Sequence, residues 1–340
     1  MWAARGDRRG AIRAMTSRPY RVAPLVALAA GLMLLGCSRI ESAPPPDASP
    51  ATTGSAASAM TADGDTPLPP GLQYVDPLAV APTPVEGVPF PEISAGAGIV
   101  LDGDSLAVLW DRNAHERREP ASVTKMVTAI LAAENASMDA VFTSDVHHWA
   151  LEWDSSTMGL EPGDQLTLRD LLLGMMLVSG NDAAIVIGRH IAGSDQAFVD
   201  AMNVLAARMG LQDSHFMNAH GFSQEGHYSS AYDLALIARY LMSIPALREI
   251  VGTEEVTVTG VGAEGQERSF DLYNHNPLLN YTPGVDGVKT GFTEGAGRTF
   301  VVTAERDGNR VYAVILDAPL RAEDSIALIE WAFAAHRWAD

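Results

Sequence analysis

Beyond about residue 92 the chain moves between two apolar rhythms. Ala97–Leu101 and Leu106–Trp110 are short apolar runs joined by Asp102-Gly103-Asp104-Ser105, the composition of two strands and a tight turn. From Ser122 to about Ala133 the text SVTKMVTAILAA is too long and too uniformly apolar for a strand. It predicts a buried helix, with Pro120 just ahead of its start. Helices are also predicted over Leu168–Val178, Ala183–Ile191, Asp195–Met209 and about Ala231–Met242. Thr167 suits the N-cap of the first, and Asp170 favours its positive end. After that the period shortens towards two. Glu255–Thr259, Gly287–Thr290, Thr299–Ala304 and Arg310–Leu316 read as strands, the last two turning at Asp307-Gly308-Asn309. A final amphipathic helix covers about Ala322–Arg337. Strands at both ends with helices between predict an α+β fold whose terminal strands meet in one antiparallel sheet. No internal repeat is visible.

Ahead of this region the rhythm disappears. Residues 1–21 carry six Arg and one acid, Asp7, and residues 22–36 (VAPLVALAAGLMLLG) are free of charge. This is the basic-then-apolar order of an export signal, and the run is short for a bilayer span. It ends Leu34-Leu35-Gly36-Cys37 and looks like a bacterial lipoprotein signal over residues 1–36, with Cys37 as the lipidated first residue of the mature chain. Met1 and Met15 would both serve as a start. Ser38 after Cys37 resembles the outer-membrane default of Gram-negative lipoproteins. The expected location is therefore the cell envelope or periplasm, on a membrane through Cys37. Residues 37–91 hold twelve of the 20 Pro, with many Ala, Ser and Thr. Such a stretch cannot bury enough apolar area to offset its ordering entropy. It is expected to be a tether spanning roughly 40 Å as a flexible coil, and more given its Pro. Residues 92–340 are expected to form the single folded domain.

Composition narrows the chemistry. Hydrophobic residues make up 47%, which excludes wholesale disorder. Lys+Arg is 23 against Asp+Glu 42, a formal net charge of −19, so a nucleic-acid partner is not expected. The single Cys excludes an internal disulfide and a zinc site built mainly from Cys. Only two of the 23 basic residues are Lys, Lys125 and Lys289; the rest are Arg. Arg cannot give up its proton in a protein, whereas a desolvated Lys can serve as a base. Both lysines are therefore candidates for chemistry.

Each lysine falls in a short signature. In Ser122-Val123-Thr124-Lys125 the Ser and Lys share a helix face. A Ser needs a neighbouring base to become a nucleophile, and a buried Lys near a second positive charge can be neutral enough to act as one. A Ser at a helix start also has free backbone N–H groups close by, suited to a developing oxyanion. Ser179-Gly180-Asn181 sits at a break between predicted helices and offers a hydroxyl to relay a proton and an amide to hold a peptide carbonyl. Lys289-Thr290-Gly291 ends a predicted strand. It offers a fixed positive charge, a hydroxyl, and room for a substrate backbone to approach. Each motif is weak alone; all three in order, 57 and 110 residues apart, are strong.

The text around them resembles the low-molecular-mass penicillin-binding proteins, the serine-type D-alanyl-D-alanine carboxypeptidases. The matching stretches are Pro120–Ala129 (PASVTKMVTA), Leu177–Asp182 (LVSGND), Met217–Phe222 (MNAHGF), His227–Leu236 (HYSSAYDLAL) and Asn274–Gly297. The resemblance runs from about Ala97 to Trp331. It implies the penicillin-recognising, β-lactamase/transpeptidase-like fold: a helical lobe against a five-stranded antiparallel sheet, with the site between them. It implies Ser122 as the acylated nucleophile, Lys125 as its base, Ser179 as a proton shuttle to the leaving group and Asn181 as a substrate-amide contact. Lys289, Thr290 and Arg321 would hold the substrate's terminal carboxylate, Gly291 would admit its backbone, and the N–H groups of Ser122 and Phe292 would form the oxyanion hole. The implied reaction removes the terminal D-alanine from peptidoglycan stem peptides through an acyl-enzyme, needs no metal or cofactor, and is blocked by penicillin and related β-lactams.

Two departures from the family pattern are expected. Only 49 residues follow Gly291, so no second C-terminal domain is expected, and the anchor would be Cys37 rather than a C-terminal amphipathic helix. The neighbouring activity is an endopeptidase cutting D-alanyl crosslinks. A β-lactamase would call for an E-x-x-L-N segment, which is absent between Asn181 and Lys289. A non-catalytic peptidoglycan-binding lipoprotein is at odds with intact Ser122, Lys125, Ser179 and Lys289. His215, His220 and His227 have no standard ligand spacing and read as structural, and His147-His148 read as surface. Asp102-Gly103-Asp104 reads as a turn, Met175-Met176 as core, and the acidic excess as a solvated surface.

Overall fold

The computed structural model describes residues 79–339. The expected signal peptide, Cys37 and most of the expected tether lie outside the described residues. In chain order the elements are β1 (Thr83–Pro84), β2 (Ala97–Asp102), β3 (Val108–Arg112), a 3-10 turn (Ala121–Thr124) running into α1 (Lys125–Asn135), β4 (Val141–Thr143), β5 (Gln165–Thr167), α2 (Leu168–Met176), α3 (Asn181–Ala192) and α4 (Asp195–Arg208). There follow α5 (Ala231–Ser243), α6 (Pro245–Gly252), β6 (Glu255–Val261), β7 (Glu267–Tyr273), β8 (Val285–Thr293), β9 (Gly297–Arg306), β10 (Asn309–Leu316), α7 (Arg321–Ala335) and β11 (His336–Arg337).

Five strands form one antiparallel sheet in the order β3-β2-β10-β9-β8, so the chain's two ends do meet in it. Both faces are covered, because successive side chains point to opposite sides. Ile99, Leu101, Val301, Val314 and Leu316 face the helical lobe. Val100, Phe300, Val302, Ala313 and Ile315 pack with Leu328, Ile329 and Ala332 of α7. Covering both faces makes β2, β9 and β10 largely apolar runs, with β3 and β8 at the two edges. The β9–β10 turn has Asp307 at φ 51° and Gly308 at φ 80°, the pair of positive values that a two-residue hairpin needs. Thr167 caps α2 as expected, its Oγ1 accepting from the Asp170 N–H at 3.2 Å.

The lobe holds more than the sequence suggested. A second antiparallel sheet runs β4-β5-β6-β7, of which only β6 was expected. β4 and β5 have three residues each, too few to show a period. β7 does alternate, with Phe270 and Leu272 inward, but charges stand between them. The helix predicted from Ser122 begins at Lys125, because the preceding turn is wound more tightly.

The packed region also reaches back before residue 92. Thr83 and Pro84 pair with Arg337 and His336, and the Val85 N–H donates to the Ala335 carbonyl at 2.8 Å. Phe90 stacks on Trp110 (5.2 Å, 19°) and meets Trp331 edge-on (5.0 Å, 78°). Pro hid this in the sequence, yet Pro84 is tolerated in a two-residue edge strand. Phe90→Ala is expected to lower the unfolding free energy by about 1–2 kcal/mol, less than a fully buried Phe because the ring is half-exposed. Urea unfolding checks this; an unchanged midpoint would show that the strap carries no stability.

Candidate active site

The site is built where the 3-10 turn enters α1. Ala121 holds φ 53°, an uncommon value for a residue with a Cβ, and so turns Ser122 towards the sheet edge. Lys125 is fully buried. Its Nζ has three neighbours: Ser122 Oγ at 3.0 Å, Asn181 Oδ1 at 2.6 Å and the His220 carbonyl at 2.7 Å. Two of these can only accept, while the hydroxyl can accept or donate. An ammonium therefore satisfies all three with its three N–H bonds. A neutral amine gives two N–H bonds to the carbonyls and turns its lone pair to the Ser122 O–H. Either protonation state fits the same heavy-atom geometry. Burial is the main cause of a lysine pKa held well below 10.5, and the nearby Lys289 lowers it further; Asp182 opposes both.

Asn181 is the first residue of α3, and its Nδ2 donates to Ser155 Oγ at 3.2 Å. Ser179, two residues earlier, is buried with φ 66°. Its Oγ has no hydrogen-bond partner in the protein. A buried unpaired hydroxyl costs about 1–3 kcal/mol, and this one is open to a partner. Asp182 gives the break its rigidity. Its carboxylate accepts from the N–H groups of Met158 (3.0 Å), Gly159 (2.9 Å) and Leu160 (2.9 Å), fixing the loop that carries Ser155.

A third segment closes over α1. Gly221, at φ 89°, lies so close to the 3-10 turn that an added Cβ would stand 1.9 Å from the Ala121 carbonyl oxygen. This contact brings the preceding carbonyl, that of His220, onto Lys125. The segment is also tied by Thr128 Oγ1 to the Ala219 carbonyl (2.6 Å) and by Thr124 Oγ1 to His227 Nε2 (2.8 Å). His227 Nδ1 accepts from the Met217 N–H at 3.0 Å, so Nε2 carries the proton and donates to Thr124. Burial lowers the His227 pKa to about 4 and that of His220 to about 3, with the Lys125 charge adding to the latter. Both rings are thus neutral at physiological pH, and His227 serves structure, as expected.

Strand β8 supplies the opposite wall. At Gly291 an added Cβ would lie 2.4 Å from Thr299 Oγ1 and 2.9 Å from the Ser122 backbone nitrogen, so only glycine lets the strand abut the serine. Lys289 is buried, and its Nζ donates to the Thr290 carbonyl at 3.1 Å. Burial, then the Arg321 charge, lowers its pKa to about 7. Lys289 therefore gives up its proton more readily than a surface lysine would. Thr290 is buried beside it, and Arg321 Nη1 donates to the Gly291 carbonyl at 3.3 Å. The Phe292 side chain projects into solvent. His275, missed in the sequence, lies close enough to Lys289 and Arg321 for both charges to lower its pKa, after burial.

Direct contacts thus join Ser122, Lys125 and Asn181, with Gly291 against the serine nitrogen and Arg321 on Gly291. Ser179 is tied to them through α3. Sequence reasoning missed Ala121, Asp182, Gly221 and the His220 carbonyl. All four lie in the stretches PASVTK, LVSGND and MNAHGF, but Ala121, Gly221 and His220 act through backbone shape or backbone atoms, and the Asp182 carboxylate acts on backbone N–H groups of a distant loop, none of which residue type announces. Among the described residues no cluster of three or more metal-ligating side chains occurs.

Comparison with known proteins gives the same picture. The pattern of one family, D-alanyl-D-alanine carboxypeptidase, matches residues 84–320. The D-alanyl-D-alanine carboxypeptidase DacF of Bacillus subtilis is 34% identical over 248 residues, covering 71% of this chain and 63% of that protein. DacD of Escherichia coli is 33% identical over 264 residues, covering 72% of this chain and 66% of that one. The chain therefore spans just under two thirds of the length of these two relatives. The Streptomyces K15 DD-transpeptidase structure superimposes with a TM-score of 0.70 at 30% identity, covering 73% of this chain and all of that one.

The chain's two lysines allow a direct test of the site's electrostatics. Lysine-labelled protein should give two side-chain resonances in NMR, that of Lys289 titrating near about pH 7 and that of Lys125 well below 10.5. The unfolded state keeps the proton that folded Lys289 releases, so this group makes stability rise with pH between about 7 and 10.5. Two resonances titrating near 10.5 would contradict the burial of both amines.

Proposed function

Because the chain belongs to the D-alanyl-D-alanine carboxypeptidase family, we propose that it is a serine DD-peptidase that removes the terminal D-alanine from peptidoglycan stem peptides. One observation carries this reading: a fully buried lysine amine 3.0 Å from a serine oxygen, with its proton affinity depressed. In the proposed reaction Ser122 Oγ attacks the carbonyl between the two D-alanines as its proton passes to Lys125 Nζ. The oxyanion is held by the N–H groups of Ser122 and Phe292. The C–N bond then breaks, and the departing amine takes a proton relayed through the Ser179 hydroxyl. Water next attacks the acyl-serine, giving its proton to Lys125; the ester C–O bond breaks, that proton returns to Ser122 Oγ, and the shortened peptide leaves with its new carboxylate. Asn181 holds the substrate amide. Protonated Lys289, Thr290 and Arg321 hold the terminal carboxylate. A β-lactam enters the same route and stalls as an ester on Ser122.

The name of the Streptomyces relative supports a second reading, in which an amine replaces water as the acyl acceptor. Cutting of D-alanyl crosslinks uses the same acyl-enzyme. For location we propose an exported lipoprotein held by lipidated Cys37, with an outer-membrane destination if the cell is Gram-negative and a Pro-rich tether between anchor and domain. The basic and apolar order of residues 1–36 supports this. Among the described residues no helix is long and apolar enough to cross a membrane.

Mass spectrometry of a muropeptide mixture tests the activity. Pentapeptide monomers should lose one alanine, and Ser122→Ala should lower that rate by at least ~1000-fold. Conversion of crosslinked dimers to monomers would shift the assignment to endopeptidase, and no change in either would overturn it. The rate should fall on the acid side as Lys125 takes up a proton. Substrate affinity should weaken above about pH 7 as Lys289 loses one. A profile flat from about pH 5 to 9 would remove both roles. Cys37→Ala should move the protein from the membrane to the soluble fraction.

A further inference from the structure

Two exposed indoles stand on the loop that joins the site at Ser155. Trp153 is 94% exposed and Trp149 68%, although indoles usually bury most of their surface. Neither sits on a loose segment. Trp149 lies in a single 3-10 turn, His148–Ala150, whose His148 N–H donates to the Leu160 carbonyl at 3.0 Å. The His147 ring packs on Trp149 at 4.6 Å and 38°. Below Trp153 the Ser155 N–H donates to the Glu152 carbonyl at 2.9 Å and closes the turn. Asp182 anchors the loop base through three N–H groups. Met158 fills the space over Gly174, where an added Cβ would lie 2.2 Å from its sulfur. Two indoles are thus held out to water on a braced loop.

The loop that carries the indoles is hydrogen-bonded to the residues around the reactive serine. Asn181 receives Lys125 on its Oδ1, donates to Ser155 Oγ at 3.2 Å, and gives its N–H to the Ser156 carbonyl at 2.8 Å. The Trp153 Cα is two peptide units from that of Ser155, hence at most about 7.6 Å away. Contacts therefore run from β8 through Ser122, Lys125, Asn181 and Ser155 to Trp153. A peptide lying between β8 and Asn181 has the Ser155 loop, with exposed Trp153 two residues away, beside it on the Asn181 side.

We propose that Trp149 and Trp153 form a saccharide subsite, on which sugar rings of a glycan-linked stem peptide stack while its peptide lies in the cleft. One face of a pyranose ring presents C–H bonds, with hydroxyls around its rim. An indole presents a flat, electron-rich face with a polar edge, and the two surfaces match. Glu152 and Asp154, exposed on either side of Trp153, add acceptors for the rim hydroxyls. The same two acids repel an anionic lipid surface, which decides against a bilayer as the occupant. The proposal rests on the peptidase reading and extends it: glycan-bound stem peptides are the preferred substrates over sugar-free ones.

The test compares the full-length protein with Trp149→Ala, Trp153→Ala and the double variant on two substrates, a disaccharide-linked pentapeptide and a sugar-free acyl-D-alanyl-D-alanine peptide. The double variant is expected to lose roughly tenfold in kcat/KM on the first, mostly through KM, and less than about twofold on the second. Trp153→Tyr should recover much of the loss. Equal losses on both substrates would make the loop merely structural, and no loss on either would leave the indoles without a role; both overturn the proposal. If the parent protein cleaves neither substrate, the peptidase reading fails. Titration with peptide-free glycan fragments then still decides the subsite: fluorescence quenching in the parent and none in the double variant supports it, and no quenching in the parent sinks it. Loss of vesicle binding with glycan turnover intact would assign the indoles to a membrane.

Discussion

An amine with no access to water is the constraint around which this domain is arranged. Lys125 is taken out of solvent entirely, and a lone buried ammonium would cost several kcal/mol. That cost is met by three oxygens from three separate parts of the chain: Ser122 on the same turn, Asn181 at the start of α3, and the His220 carbonyl. Each must be delivered accurately, since an unfilled position would leave either a charge or a lone pair unpaired. The strained Ala121, the Asp182 anchor and the close pass of Gly221 are the local means of that delivery. Because the hydroxyl can reverse its role, the cage tolerates both charge states. A proton can enter and leave without moving heavy atoms, as expected of a site preorganised for acid–base chemistry.

The two buried lysines also act on each other. Lys289 lowers the proton affinity of Lys125, and Arg321 lowers that of Lys289, so three cations form a graded series behind the serine. A carboxylate arriving near Lys289 and Arg321 would relieve their repulsion and favour a protonated Lys289. Substrate binding and proton affinity are in this way coupled through the series.

Much of this was legible in the sequence where the signal resides in side chains. Lys125 and Lys289 were conspicuous because the chain uses Arg elsewhere, and Ser122, Ser179 and Asn181 lay at motif spacing from them. The central strands β2, β9 and β10 were legible as apolar runs because α7 and the lobe bury both faces of the sheet. What stayed hidden acts through the backbone or through length. β4 and β5 are too short to show alternation, and Gly221 matters because of one carbonyl beside it. The strap at residues 83–90 has the composition of a linker and is held by partners some 240 residues away in sequence, such as Trp331. Local pattern does not report such distant partners.

Arginine in place of lysine has a consequence for what this protein can become chemically. Its only two side-chain amines are sealed inside, and every cation on its surface is a guanidinium, a poor nucleophile at neutral pH. If Ser122 carries an acyl group, as proposed, that ester is itself an acylating reagent. Crowded copies of the chain would meet each other's acyl-serines often. A surface without free side-chain amines gives those esters nothing on a neighbouring copy to transfer to. Composition alone thus closes the side-chain amine route to self-modification.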